Sequence, residues 1–160
     1  MIPLTTSRVE RLKEMMDGKG LRLSLAESCT GGMIGSEITS VSGSSSFFLG
    51  SAVTYSNESK ENILGVSHSS LMGQGAVSET VAKEMALGSL RAYGSDIAGS
   101  VTGIAGPDGG TPEKPVGTVW MAVTDGKRTV AYENHFEGSR KDIREQTVRV
   151  LVEHLIEFIQ

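Results

Sequence analysis

The segment 117–136 constrains the fold more than any other part of the chain. Gly117–Thr124 and Arg128–Phe136 both read as strands, with the pair Asp125-Gly126 in the turn between them. That pattern is a strong hairpin signal, because the glycine supplies the positive φ that tight strand connections need. A hairpin is antiparallel. The rest of the chain alternates strands with helices, and helical crossovers join parallel neighbours. A single sheet that accommodates both must be mixed.

Upstream, Ser7 with Glu10 three residues on has the form of a capping box, and Val9, Leu12, Met15 and Met16 recur at helical spacing until Gly18 and Gly20. Leu21–Leu25 alternates apolar and polar residues as a strand does, and Met33–Val41 suits a short helix. A Ser/Gly-rich turn over 42–46 leads into a second strand, Phe48–Tyr55. Asn57 is placed to cap a helix of about two turns that stops near Gly65, and Ser78 to cap a longer one, Glu79–Tyr93. Ile97–Ile104 reads as a buried strand of small residues, Gly106–Val116 as a long Gly/Pro loop, and Ser139 as the cap of a last helix with Ile143, Leu151, Leu155 and Ile159 on its apolar side. These elements predict one α/β domain over 1–160, a three-layer α/β/α arrangement around a mixed sheet of about five strands.

The bulk properties exclude several classes. Fifteen basic against nineteen acidic residues give a net charge of −4, with no like-charged run, which argues against nucleic acid as a partner. A single cysteine, Cys29, rules out an intramolecular disulfide framework. The start, Met1 to Thr6, lacks the basic-then-apolar order of a secretory signal, and no apolar run reaches the ~18–20 residues of a membrane span. The expectation is a cytoplasmic protein without a membrane partner. His68, His135 and His154 fall in different elements without metal-ligand spacing, so surface or edge positions are expected for them and no metal.

Three segments carry the chemistry. In Ala26-Glu27-Ser28-Cys29-Thr30-Gly31-Gly32 a serine ends a strand and two glycines precede a helix, which is where α/β folds place reactive groups and anions. Spacing alone leaves two readings of Ser28: a nucleophile, with backbone N–H groups near Thr30, Gly31 or Gly32 serving an oxyanion, or a helix cap beside a turn. In Tyr55-Ser56-Asn57-Glu58-Ser59-Lys60 the lysine falls in the first helical turn, the wrong end for a cation, so its ammonium is disfavoured. A neutral lysine is what a serine nucleophile needs as base, with Tyr55 relaying or orienting the proton; the alternative is a solvated lysine and a packed tyrosine. The loop after the third strand, with Thr102, Gly103, Ala105, Gly106, Gly109 and Gly110, has the glycines to let backbone approach a phosphate or ribose, or else is a long surface turn. Cys29 is an alternative nucleophile, read here as dispensable, and Arg140 and Arg144 are candidates to reach a phosphate.

Taken in order, these segments, with Val53-Thr54-Tyr55-Ser56-Asn57, Gly75-Ala76-Val77-Ser78, Ser100–Pro107 and Lys114–Val119, resemble the CinA C-terminal-domain family of nicotinamide-nucleotide amidohydrolases over most of the chain. The resemblance implies hydrolysis of the carboxamide of nicotinamide mononucleotide (NMN) to nicotinic acid mononucleotide and ammonia, without metal or other cofactor and within pyridine nucleotide (NAD) salvage. It implies Ser28, Tyr55 and Lys60 as the catalytic residues. Substrate contacts are expected from Thr30, Gly31, Gly32, Thr102, Gly103, Ala105, Gly106, Gly109 and Gly110. Larger family members carry an extra domain linked to pyrophosphatase activity, for which 160 residues leave no room. A homo-oligomer is expected, as for many small α/β enzymes. Two other readings remain at this point: a non-catalytic nucleotide-binding or regulatory module, and an amidase for a different small amide.

Overall fold

The computed structural model describes residues 3–160. Helix α1 (Pro3–Lys19) precedes strand β1 (Leu23–Glu27), helix α2 (Met33–Thr39) and strand β2 (Phe48–Val53). Three helices follow, α3 (Asn57–Leu64), α4 (His68–Gln74) and α5 (Glu79–Tyr93), then strands β3 (Ile97–Gly103), β4 (Thr118–Thr124) and β5 (Thr129–His135) and the closing helix α6 (Arg140–Ile159).

The five strands form one sheet in the order β2-β1-β3-β4-β5. β1 is parallel to both β2 and β3, while β4 runs antiparallel to β3 and to β5. The mixed sheet expected from the hairpin is therefore the one observed, with α1, α2 and α6 on one face and α3, α4 and α5 on the other. The two layers follow from handedness. The chain passes from β1 outward to β2, then back across β1 to β3, so right-handed crossovers must use opposite faces. The main core lies under α1, α2 and α6, built on Leu12, Leu25, Ile34, Met121, Ile143 and Leu151, all wholly buried.

Several local expectations change. Ser7 and Glu10 lie inside α1, which already begins at Pro3, so they form no capping box. The cap of α3 is Ser56, whose side chain accepts from the Ser59 N–H, and Asn57 is the first helical residue. α4 escapes the sequence pattern because its seven residues carry little apolar periodicity, Leu71 alone being buried; Ser67 caps it. β1 starts two residues later than the alternation over Leu21–Leu25 suggested and is buried along its whole length, because helices cover both faces of the sheet. Its polar Ser24 is satisfied by Ser89 and Ser95 hydroxyls, each at 2.8 Å. His68 and His135 are exposed as expected, whereas His154 on α6 is mostly covered, its ring stacked on Tyr132 at 3.6 Å between centroids.

Candidate active site

Because β2 and β3 flank β1 but are reached by crossovers on opposite faces, the chain diverges beyond the carboxyl end of β1 and opens a crevice there. Ser28 is the first residue past that end. Its N–H donates to Val101 O on one side (3.1 Å), and the Thr54 N–H donates to Glu27 O on the other (2.9 Å), so both neighbouring strands hold the position of the serine.

Lys60 approaches from α3. It is 1 % exposed, and its Nζ lies 2.8 Å from Ser28 Oγ, 2.8 Å from Thr54 O and 3.3 Å from Tyr55 O. Burial pulls its pKa down from 10.5 to about 8. The geometry admits both protonation states. As an ammonium, Nζ donates to all three oxygens. As a neutral amine it keeps two N–H bonds, which the two carbonyls can only accept, and its lone pair is left to accept the Ser28 O–H.

Cys29 is 6 % exposed and burial pushes its thiol up to about 11, so it stays protonated at neutral pH. The thiolate is the reactive form, and this environment suppresses it.

The turn that carries Ser28 is held from two directions. From within, the buried Glu27 carboxylate accepts from Thr30 Oγ1 (2.7 Å), Ile34 N–H (2.9 Å), Gly35 N–H (3.0 Å) and Ser51 Oγ (2.7 Å). From α6, Arg144 donates through Nε to Cys29 O (3.1 Å) and through Nη2 to Thr30 O (3.0 Å). Arg144 thus ties the turn to the last helix, in place of the phosphate contact considered for it. Gly32 caps α2 at φ 100°, a conformation suited to glycine. The Gly31 N–H is engaged by Ser28 O at 3.1 Å, which removes it from the candidate oxyanion donors.

Opposite this turn, a cleft of about 270 Å³ is bounded by Ser28, Cys29, Tyr55, Asn57 and Lys60, by Ala76 and Val77 before α5, by Thr102, Gly103 and Ala105 at the end of β3, and by Arg140. Thr102 Oγ1 donates to Ala76 O (2.9 Å), fixing one wall to the sheet. Arg140 donates to Gly106 O (2.7 Å) and, at a long 3.4 Å, to the Tyr55 hydroxyl. Tyr55 is 65 % exposed, its hydroxyl lies within reach of Arg140 at the cleft, and it is the main-chain carbonyl of Tyr55 that meets Lys60. The cleft carries two cationic side chains, Lys60 and Arg140, and no carboxylate in its walls.

The structure therefore brings Ser28, Tyr55, Lys60, Thr102, Gly103, Ala105 and Arg140 to one cleft. Thr30, Gly31, Gly32, Gly106, Gly109 and Gly110 stand outside its walls. For Gly106 and Gly110 the space a Cβ would occupy is taken by Val116, at 2.5 Å and 3.0 Å from its methyl carbons. Asn57, Ala76 and Val77 are also wall residues, although the sequence offered Asn57 only as a helix cap and Ala76 and Val77 only within a segment that carries the family resemblance.

The CinA C-terminal domain family model matches residues 5–159. A nicotinamide-nucleotide amidohydrolase PncC of Enterobacter agglomerans is 52 % identical over 91 % of this chain and 90 % of its own length. A CinA-like protein of Citrifermentans bemidjiense is 53 % identical over 86 % of the chain but only 33 % of its own length, so the chain spans about a third of several curated relatives. Among solved structures, a competence/damage inducible protein CihA of Agrobacterium tumefaciens superposes with a TM-score of 0.95 at 39 % identity, covering 98 % of this chain and 96 % of that one. A CinA superfamily protein of Escherichia coli gives a TM-score of 0.94 at 32 % identity, covering 99 % and 93 %. By its sequence over nearly the whole domain and by its fold, this chain belongs to the CinA C-terminal domain family.

Proposed function

We propose that the chain is an amidohydrolase that converts NMN to nicotinic acid mononucleotide and ammonia, with Ser28 as nucleophile and Lys60 as its base. The observation that carries this reading is the 2.8 Å contact between Lys60 Nζ and Ser28 Oγ, made by a lysine whose other partners are two carbonyl oxygens. Two acceptors occupy the two hydrogens of a neutral amine and aim its lone pair at the serine proton. The PncC name of a relative aligned over most of both chains supports the substrate.

In the proposed sequence Lys60 takes the Ser28 proton as Oγ attacks the carboxamide carbon, and a tetrahedral oxyanion forms. Lys60 then returns the proton to the departing nitrogen, ammonia leaves, and an acyl-enzyme remains. Water, deprotonated by the same lysine, attacks the ester; the carboxylate product departs and Ser28 recovers its hydrogen. Tyr55 serves by its carbonyl, which orients Lys60, and by its phenol at the cleft. Arg140 supplies the positive charge for the phosphate of the mononucleotide, so that remote binding energy positions the amide. The product returns the pyridine ring to dinucleotide synthesis, which is the salvage role proposed here.

The test is ammonia release from NMN, with free nicotinamide and glutamine as comparison substrates. Wild-type protein is expected to act on the mononucleotide, and Ser28→Ala and Lys60→Ala each to lose at least about 10³-fold in kcat, with no further loss when combined. Near-normal turnover in either variant would overturn the catalytic assignment. Tight binding of NMN by the wild type without turnover would point to a binding module instead.

A further inference from the structure

Glu27 is a wholly buried carboxylate that the proposed chemistry does not consume, and it has no cationic partner among its four hydrogen bonds. All four donors are neutral: two hydroxyls and two backbone N–H groups. A carboxylate in such a place must have every lone-pair direction served, and here it does. The arrangement is a built one. Gly35 packs closely here: a Cβ there would touch Glu27 Oε2 at an ordinary 3.4 Å and meet Ser51 Cβ at a tight 3.3 Å.

The need for it is visible in α2. That helix is capped by Gly32, which has no side chain to receive the first N–H groups. Glu27 reaches over the turn and accepts from the N–H groups of Ile34 and Gly35, the second and third residues of the helix. The same carboxylate holds Thr30 within the turn and Ser51 on β2. One residue therefore closes a loop that starts at its own backbone, passes Ser28 and returns to its side chain.

We propose that Glu27 is a positioning residue for the nucleophile: its carboxylate sets the conformation of the 28–32 turn and hence the direction in which Ser28 Oγ faces Lys60 and the cleft. This rests on the reading of Ser28 as nucleophile. It goes beyond that reading by naming the group that keeps the serine in attacking geometry. A glutamine at this position carries two N–H bonds of its own. One of its ends then opposes a backbone N–H that cannot rotate away, whereas the hydroxyls of Thr30 and Ser51 can turn to accept. The turn must shift to relieve that contact.

The experiment measures two quantities on folded protein, each well below the variant's own unfolding temperature. The first is kcat and KM for NMN; the second is the rate at which a fluorophosphonate labels Ser28. Glu27→Gln is expected to lower both kcat and the labelling rate by about 10²-fold, the loss expected from misplacing a reacting atom by about 1 Å, with KM within about threefold. Ser51→Ala, which removes one of the four bonds, is expected to give a smaller loss in the same two quantities. Leu12→Ala, a core truncation on α1, lowers the unfolding temperature but leaves both quantities unchanged. Should Glu27→Gln not fold, Glu27→Asp, which retracts the carboxylate by one methylene, takes its place with the same expectation.

Wild-type kcat and labelling in a folded Glu27 variant would overturn the proposal, leaving Glu27 as a structural cap only. A wild type that is labelled at Ser28 but does not hydrolyse NMN would fail the substrate reading, and the labelling rates of the variants would still decide the role of Glu27. A wild type inert in both assays would overturn the proposal together with the nucleophile it serves.

Discussion

Lys60 Nζ stands 2.8 Å from Ser28 Oγ across 32 residues of chain, and the distance is set by two parallel strands. Glu27 at the end of β1 pairs with Val53 at the end of β2, so the residues that follow both strands emerge on the same side of the sheet. Ser28 follows one strand directly. Lys60 lies one helical turn into α3 after the other, and its buried stem brings the amine back over the strand ends.

That burial makes the amine pH-sensitive in a defined window. The folded pKa of Lys60, about 8, lies below the 10.5 of the unfolded chain. Between those values the unfolded chain holds a proton that the folded chain has released, so stability rises with pH from about 8 to 10.5 on account of this group; below 8 both states hold the proton and the cost of burying the ammonium is full and constant. Lys60→Met should lack this rise. Urea midpoints of the two proteins at pH 7, 8, 9 and 10 check it. The kcat of the wild type should climb through an apparent pKa near 8 as the neutral amine forms.

Cys29 sits beside the proposed nucleophile with its thiol pushed up to about 11 by burial. Cys29→Ala should keep kcat/KM within about threefold of wild type, a cost below 1 kcal/mol. The native thiol should react with a disulfide reagent far more slowly than in urea. Loss of turnover comparable to that of Ser28→Ala would contradict this role.

Arg140 and Arg144, one turn apart on α6, should separate by kinetics. Arg140 faces the cleft, so Arg140→Ala should raise KM for NMN about tenfold or more while kcat changes little. Arg144 holds the carbonyls of Cys29 and Thr30, so Arg144→Ala should lower kcat at nearly constant KM and cost about 2 kcal/mol of stability. Steady-state kinetics with denaturation midpoints on both variants would reveal the opposite assignment if it holds.

Gly88 on α5 touches the end of α3, and a Cβ there would run into the Leu64 carbonyl. Gly88→Ala should push α3 off α5, at a cost of about 1–3 kcal/mol, and move Lys60 with it. Activity should fall by more than the unfolded fraction accounts for. Thermal melts paired with assays at low temperature distinguish the two contributions.

Much of the fold was legible locally. Asp125-Gly126 between two β-rich runs defined the hairpin, and Ser78 and Gly94 bracketed α5 to the residue, because caps and turns are decided by neighbours within a few positions. α4 was not legible. A helix with one buried residue owes its existence to docking against α5 and the capping hydroxyl of Ser67, not to a periodic face. Ser7 and Glu10 misled for the converse reason: a cap pattern has meaning only where a helix starts, and α1 already begins at Pro3.

For the site, sequence by itself determined the chemical inventory: a serine at a strand end before two glycines, a lysine early in a helix, and glycine-rich backbone after a small-residue strand. Only the tertiary structure decided which of these meet. Strand order placed Ser28 between β2 and β3, burial gave Lys60 its lowered pKa, and the Val116 contacts turned Gly106 and Gly110 inward to loop packing. It also revealed Glu27 and Arg144 as partners of the turn, since a hydrogen bond from Arg144 to Thr30 spans 114 residues and leaves no local pattern. Such contacts depend on distances between elements, and those follow from how the layers pack around the sheet.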